Sequence, residues 1–354
     1  MKIDKFLQIK NIFNESVNNL FLDNINFLNK HHYNQCKIYK KIINRFSFNI
    51  KKKDKLENLP YLTAGIFKEF DIHSLSKKKI FKVLTSSGTS NQQPSKIYLD
   101  KKSALNQILV LKKTFHDFFN DNERYPMLVI DRPLSLNSNN TYSARTAAIL
   151  GFSIFGRNIT YALNNDFSLN TKIVKYFFKK NKKKNYIFGF TSLVWFNFIN
   201  QLVISKNFID LSNSTIIHGG GWKKLEKQKV SNSLFKKYIK KYFKIKKIHN
   251  YYGMIEQIGS VFFECEKGFF HTSCLNDIIV RKNNGKVLTN KKKGIIQLLS
   301  ILPTSYPGHN ILTEDVGSIF GENNCNCGRK GKYFKVNGRV EKAEVRGCSN
   351  VIHS

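Results

Sequence analysis

From about residue 80 onward, short apolar runs alternate with amphipathic stretches, and this alternation predicts strands and helices in turn. Ile80–Leu84 reads as a strand, followed by a loop of Ser, Thr and Gly and then a helix near Lys102–Phe119. A 3.6-residue spacing sets Leu105, Ile108, Leu109, Phe115 and Phe119 on one face of that helix. Tyr125–Asp131, Tyr186–Phe190 and Ser214–His218 read as further buried strands. The second leads into a helix capped at Thr191 or Ser192. The third runs into Gly219-Gly220-Gly221, a basic amphipathic helix over roughly Trp222–Phe243, and another short strand toward Tyr251. Strands alternating with helices predict an α/β fold with helices packed on a mainly parallel sheet.

The flanks differ. Residues 1–79 read as mostly helical, with a break near Leu59-Pro60 because proline disfavours helix in the residue before it. From about Gly268 the segments become short and Gly-punctuated, which predicts a smaller β-rich part. The expected organisation is a helical segment 1–79, a core 80–337 and a hinge with a short tail 338–354. No internal repeat is visible.

Composition narrows the class. With 354 residues, 41% hydrophobic and 30 Phe, the chain can bury a sizeable core, which excludes a disordered tail or a disulfide-stapled miniprotein. The net charge of +35 suggests nucleic acid, but only nine of the 59 basic residues are Arg and the Lys runs are scattered along the chain. A solvated lysine surface is the simpler reading, and no nucleic-acid partner is expected. Met1–Phe13 mixes charge through its apolar residues, unlike a secretory signal. Asn185–Ser205 is uncharged and long enough to span a bilayer, yet carries Asn197, Asn200 and Gln201, so it reads as strand and helix, not as a membrane span. A reducing cytoplasm is the expected setting.

Thr85-Ser86-Ser87-Gly88-Thr89-Ser90, followed by Pro94-Ser95-Lys96, is the sharpest local signal. It lacks the spacing of a Walker loop. Hydroxyls and backbone N–H groups around one Gly, with a Lys nearby, can wrap a polyphosphate; the same string also reads as a polar turn. Three further elements follow in order. Asn250-Tyr251-Tyr252-Gly253-Met254-Ile255-Glu256 offers aromatics suited to stacking a base and a carboxylate suited to Mg²⁺. In Thr313-Glu314-Asp315, a carboxylate can accept hydrogen bonds from both ribose hydroxyls. Gly338-Arg339-Val340-Glu341-Lys342 sets a flexible Gly beside a cation, as a hinge would.

Cys265, His271, Cys325 and Cys327 form a complete tetrahedral Zn²⁺ set, and a closed set implies a structural metal. Buried free thiols are the alternative. Cys348 lies in a polar Arg-Gly-Cys-Ser segment where Arg346 would favour the thiolate, as a covalent acyl carrier requires; an ordinary tail cysteine is the other reading. Cys36 and Cys274 read as ordinary core or surface cysteines.

Taken with His218-Gly219-Gly220-Gly221-Trp222 and Glu344-Val345-Arg346-Gly347-Cys348-Ser349, these motifs resemble the acyl-protein synthetases of the LuxE type, in the ANL adenylating superfamily on the branch of the phenylacetate–CoA ligases. The resemblance covers about residues 80–350. It implies an ANL-type fold with a large N-terminal α/β domain, a β-rich subdomain and a shortened C-terminal tail. It also implies ATP-dependent activation of a fatty acid or other carboxylic acid as an acyl-adenylate, transfer to Cys348, and delivery to an acyl reductase or acyl-carrier partner. By similarity, Ser86, Ser87, Gly88, Thr89, Ser90 and Lys96 would hold the phosphates and Glu256 would bind Mg²⁺. Asp315 would hold the ribose, Gly219, Gly220 and Gly221 with Tyr252 and Gly253 would flank the adenine, and Arg339 would act at the hinge. The family pattern has Thr where this chain has Ile255. An acyl- or aryl-CoA or acyl-carrier ligase of the same superfamily is the enzyme alternative, and a basic nucleic-acid-binding protein the non-enzyme one.

Overall fold

The computed structural model describes residues 3–46, 48–50, 52–86, 93–134, 141–222, 225 and 228–340. The described residues divide between two compact units. One draws on Met1–Asn120, Asn139–Ala144 and Gly253–Ser354, the other on Asp121–Ser138 and Arg145–Tyr252.

In the second unit, Gly156–Tyr161, Tyr125–Ile130, Asn185–Phe190, Ser214–Gly219 and Lys247–Tyr252 pair in parallel in that spatial order. Asn185–Phe190 and Ser214–Gly219 are buried at every position, as central strands covered on both faces must be. Leu128, Ile187, Phe198, Ile216, Phe235 and Ile239 share one apolar core between sheet and helices. Helix Thr171–Lys180 starts where the Asn170 side chain accepts from the backbone N–H of Ile173, and helix Asn232–Phe243 where Ser231 accepts from Leu234.

The predicted helix from Trp222 is therefore shorter; residues 223–224 and 226–227 lie outside the described residues. Thr191 begins its helix but does not cap it: the cap position is Phe190, with no side-chain cap bond. The Thr191 hydroxyl instead donates to Gly219 O (3.1 Å) and pairs with His218 Nδ1 (3.0 Å), because it faces the neighbouring strand end. This helix contains a π segment, Val194–Ile199. Among the described residues no helix is long and apolar enough to cross a membrane.

The first unit holds an antiparallel sheet in the order Phe270–His271, Lys332–Arg339, Asn310–Glu322, Gly294–Ser300, Asn276–Arg281. Leu62–Thr63 adds in parallel to Asn310–Glu322, pairing Leu62 with Ile311 and Thr63 with Leu312. A smaller sheet centres on Lys82–Thr85, between Lys96–Leu99 and Thr141–Ser143. The longer helices of this unit are Asn19–Gln35, Lys37–Arg45 and Lys101–Phe119. Asp100 caps the last through Ser103 N–H (2.7 Å), and Asn120 closes it in the left-handed conformation.

The face predicted for helix Lys101–Phe119 is wrong in its first half. Leu105, Ile108 and Leu109 are exposed, whereas Ser103, Asn106, Gln107, Val110 and Leu111 are buried. The helix meets polar neighbours there, as where the Ser103 and Thr304 hydroxyls lie 2.9 Å apart, so hydropathy misreads its orientation.

Much of the first unit is joined by buried polar side chains. His309 Nε2 and Tyr39 OH both approach Asn29 Oδ1, at 2.7 and 2.9 Å, and the His32 and His309 rings stack 5.0 Å apart. Gln297 donates to Asn310 Oδ1 (2.6 Å) and accepts from Arg281 Nε, while Arg281 also donates to the carbonyls of Glu57 and Gly285. Residues 1–79, which carry no obvious motif, supply one side of both networks.

Candidate functional site

Glu256 sits in a 3-10 turn, Ile255–Gln257, directly after the aromatic-glycine segment. The turn is pinned by Gln257 Nε2, which donates to the carbonyls of Leu298 (3.1 Å) and Gly308 (3.0 Å). Glu256 is only 7% exposed, and its Oε1 accepts from the hydroxyl of fully buried Ser95 at 2.6 Å. Ser95 is held in place by Ser86: the Ser86 Oγ accepts from Ser95 N–H (2.8 Å) and Ser86 N–H donates to Ser95 O (3.0 Å). Segments 161 positions apart in sequence thus meet at one hydrogen bond. Burial pushes the Glu256 carboxyl above its usual range, and nearby Glu314 acts the same way; Ser95 and Lys68 oppose them. Taking a carboxylate out of water costs free energy that a bound divalent cation would offset.

Thr313, Glu314 and Asp315 lie on strand Asn310–Glu322. The Thr313 hydroxyl donates to Ile296 O (2.8 Å) and accepts from Asp315 N–H (3.0 Å), which fixes the main chain at Asp315. Arg339, opposite Asp315 in the ladder, places Nε 3.4 Å from its carboxylate and a terminal nitrogen 4.0 Å from Glu314. Gly338 takes φ +153°, and Val340 N–H donates to Glu314 O (2.9 Å), so the expected hinge is held in the sheet up to residue 340. Lys68 lies 3.4 Å from Glu314. Lys96 pairs instead with Asp71, at 3.5 Å. Ser87, Gly88, Thr89, Ser90 and Cys348 lie outside the described residues.

The second unit carries the glycine motif. Gly219 ends its strand where a β-carbon would stand 2.5 Å from the Tyr251 ring, so no larger residue fits without moving that ring. Gly220 and Gly221 have φ of +76° and +63°, the left-handed region that glycine occupies without strain. Buried Tyr251 stacks on Phe188, with centroids 6.1 Å apart, which makes it a wall of the core; half-buried Tyr252 ends the strand. Gly253 belongs to the first unit, its β-carbon position 3.2 Å from Ser260 O.

Also in the first unit, the ligand atoms of Cys265, His271, Cys325 and Cys327 lie within 4.8 Å of one another. Two similar turns present the thiols: Gly268 N–H donates to Cys265 O and Gly328 N–H to Cys325 O, each at 2.9 Å. His271 turns Nε2 toward Cys327 Sγ (3.3 Å). Burial pushes the Cys265 thiol up to about 12 and the His271 imidazole down to about 4. Burial also raises Cys327, but hydrogen bonds and charge from Arg329 outweigh it and the thiol falls below its ordinary value. A neutral imidazole with three converging sulfurs is a donor set that can hold a metal ion, and it fits zinc, whose ligand atoms in a tetrahedron lie about 3.3–3.8 Å apart.

In fold the chain is similar to 2-hydroxyisobutyryl-CoA ligase in an open conformation with 2-HIB-AMP and CoA, at TM-score 0.68 and 14% identity, covering 91% of this chain and 74% of that one. It is also similar to ATP-bound MatB of Rhodopseudomonas palustris, at TM-score 0.50 and 14% identity over 75% of this chain and 49% of the other. The architecture is that of the ANL adenylating enzymes, as the motif resemblance implied. A model of the family described as acyl-protein synthetase, LuxE, matches residues 10–354; the chain belongs to this family and is an AMP-forming ligase. It is 25% identical over 303 residues, 81% of this chain and 76% of the relative, to the long-chain-fatty-acid–luciferin-component ligase of Aliivibrio fischeri.

Sequence reading singled out Glu256, Asp315, Arg339 and the cysteine–histidine set. It missed Ser95 as a partner of Glu256 and Lys68 as a partner of Glu314. Ser95 sits in the quoted Pro-Ser-Lys string; Lys68 carries no motif, and only the fold places it.

Proposed function

We propose that this chain activates a long-chain fatty acid with ATP as an acyl-adenylate, transfers the acyl group to its own Cys348, and passes it to an acyl reductase partner. The buried Ser95–Glu256 hydrogen bond carries the reading, because it ties the hydroxyl-rich loop to the motif carboxylate in the unit that also bears Asp315. Family membership and the named fatty-acid ligase relative support the substrate class.

The acid's carboxylate attacks the α-phosphate of ATP and pyrophosphate leaves with the bonding electrons, so the protein's task is positioning and charge neutralisation. Asp315 accepts from the ribose hydroxyls, and Ser86 with Ser87, Gly88, Thr89, Ser90 and Lys96 surrounds the β- and γ-phosphates. Gly219, Gly220, Gly221, Tyr252 and Gly253 flank the adenine, and Arg339 orders Asp315. Glu256 holds Mg²⁺, which when bound offsets polyphosphate charge. The Cys348 thiolate, favoured by Arg346, then attacks the acyl carbon and AMP leaves. Cys265, His271, Cys325 and Cys327 hold a structural zinc ion. A cytoplasmic setting suits Cys36, Cys265, Cys274, Cys325 and Cys327, which are all free thiols in the structure.

Acid-dependent ATP–pyrophosphate exchange tests the first step: Glu256→Gln is expected to lose it by about 100-fold or more, since an amide binds Mg²⁺ weakly. No exchange with any of a broad panel of carboxylic acids defeats the proposal. For the second step, labelled fatty acid and ATP should give a hydroxylamine-sensitive protein label that Cys348→Ser lacks while still exchanging pyrophosphate. Equal labelling of that variant, or efficient transfer to CoA in its place, puts the CoA-ligase reading ahead.

A further inference from the structure

Lys68 comes from the helical N-terminal region, yet the sheet delivers it to the candidate site. Leu62–Thr63 runs parallel to the strand bearing Glu314 and Asp315, and Ala64 N–H extends the pairing to Leu312 O at 2.9 Å. Helix Ile66–Glu69 then turns the chain, bringing Lys68 Nζ to 3.4 Å from Glu314 Oε1. Lys68 and Glu314 are both close enough to Glu256 to act on its charge, in opposite directions.

As an ion pair alone this contact does little. The Lys68 and Glu314 side chains are 28% and 32% exposed, and solvent screens a pair of that kind. The surroundings give the ammonium a further task. Glu256, Glu314 and Asp315 gather three carboxylates where a polyanion is to bind, and Arg339, with its side chain 75% exposed, points at Asp315 and Glu314. With the ribose assigned to Asp315 and the outer phosphates to the neighbourhood of Glu256, the α-phosphate falls between these groups; Glu314, the partner of Lys68, is joined to Asp315 through Arg339 and acts on the charge of Glu256.

We propose that Lys68 binds the α-phosphate of the nucleotide and is a catalytic residue for adenylation. The proposal rests on the assignment of Asp315 and Glu256 to ribose and Mg²⁺. As the carboxylate oxygen bonds to the α-phosphorus and the bond to the β-phosphate oxygen breaks, pyrophosphate takes the electron pair. Lys68 remains protonated throughout and stabilises the negative charge on the non-bridging α-oxygens.

AMP and adenosine differ by the α-phosphate alone, so the test is their binding to the full chain and to two neutral variants, Lys68→Met, which keeps the aliphatic stem, and Lys68→Gln. The expected result is wild-type preference for AMP over adenosine, with AMP binding about tenfold weaker in both variants and adenosine binding unchanged. Lys68→Arg should retain the preference. In parallel, pyrophosphate exchange should fall about 10²–10³-fold in kcat in the neutral variants with the thermal midpoint nearly unmoved. Equal weakening of AMP and adenosine would mark Lys68 as an ordering partner of Glu314 and overturn the assignment, as would unchanged AMP binding. Wild-type protein that binds neither would overturn the nucleotide assignment on which the proposal stands.

Discussion

The two units are stabilised in different ways. In the parallel-sheet unit, Ile187, Phe188, Ile216 and Ile217 lie on strands buried at every position, and the packing is overwhelmingly apolar. In the other, Asn29, His32, His309, Arg281, Gln297 and Asn310 are buried and hydrogen-bond one another or distant carbonyls, although Asn29 Nδ2 and His309 Nδ1 find no partner. Apolar packing is non-directional and tolerates small shifts; a buried polar network depends on the distance and direction of each bond it makes. The unit that carries Glu256 and Asp315 is therefore the more exacting in geometry, as the roles proposed for them at a metal ion and a ribose would require.

Truncations and titrations sharpen this contrast. The largest loss is expected at the cysteine cluster. Purified protein should contain about one zinc ion per chain, and Cys327→Ser should remove it and destabilise by on the order of 5 kcal/mol or more, since metal binding is coupled to folding. Metal analysis of protein never exposed to chelator, finding no zinc, would refute this. Next, Phe198→Ala in the apolar core of the parallel-sheet unit should cost about 3–5 kcal/mol, with urea unfolding as the measure. A loss under 1 kcal/mol would mean that this core is not closely packed.

Gln297→Leu should cost less, about 1–3 kcal/mol, by leaving Arg281 Nε and Asn310 Oδ1 without their partner. A variant as stable as wild type would show that the network contributes specificity without stability. Smallest at neutral pH is the effect of the buried histidines. Burial depresses His309 and His218 to about 3 and lowers His32 well below 6.5. The unfolded chain binds more protons in the window between about 6.5 and 3, so stability present above pH 6.5 is lost as pH falls through it. His309→Gln should flatten the slope of thermal midpoint against pH; an unchanged slope would mean that His309 is not the titrating group.

The same contrast sets what could be read in advance. Strands such as Asn185–Phe190 and Ser214–Gly219 announce themselves because apolar runs have one physical outcome, and the glycine, aromatic and carboxylate motifs lie within short stretches. Hydropathy points Leu105, Ile108 and Leu109 inward although they are exposed, because it does not register that Ser103 finds Thr304. Ser95 and Lys68 escaped for a related reason: a hydroxyl or ammonium has no period, and the contacts to Glu256 and Glu314 span 161 and 246 positions. The cysteine set was legible in residue type, while the convergence of His271 on Cys327 is a property of the antiparallel ladder.

A metal ion at that cluster would act as a covalent-strength clasp on the chain. His271 and Cys327 are 56 positions apart, and the intervening residues include the strand that carries Thr313, Glu314 and Asp315. Tethering the two ends removes much of the wandering freedom of the unfolded loop, an entropic gain that grows with the logarithm of loop length. The strand that bears Asp315 would then lie inside a closed ring, so a metal ion would steady that strand from a distance although none of its ligands belongs to it.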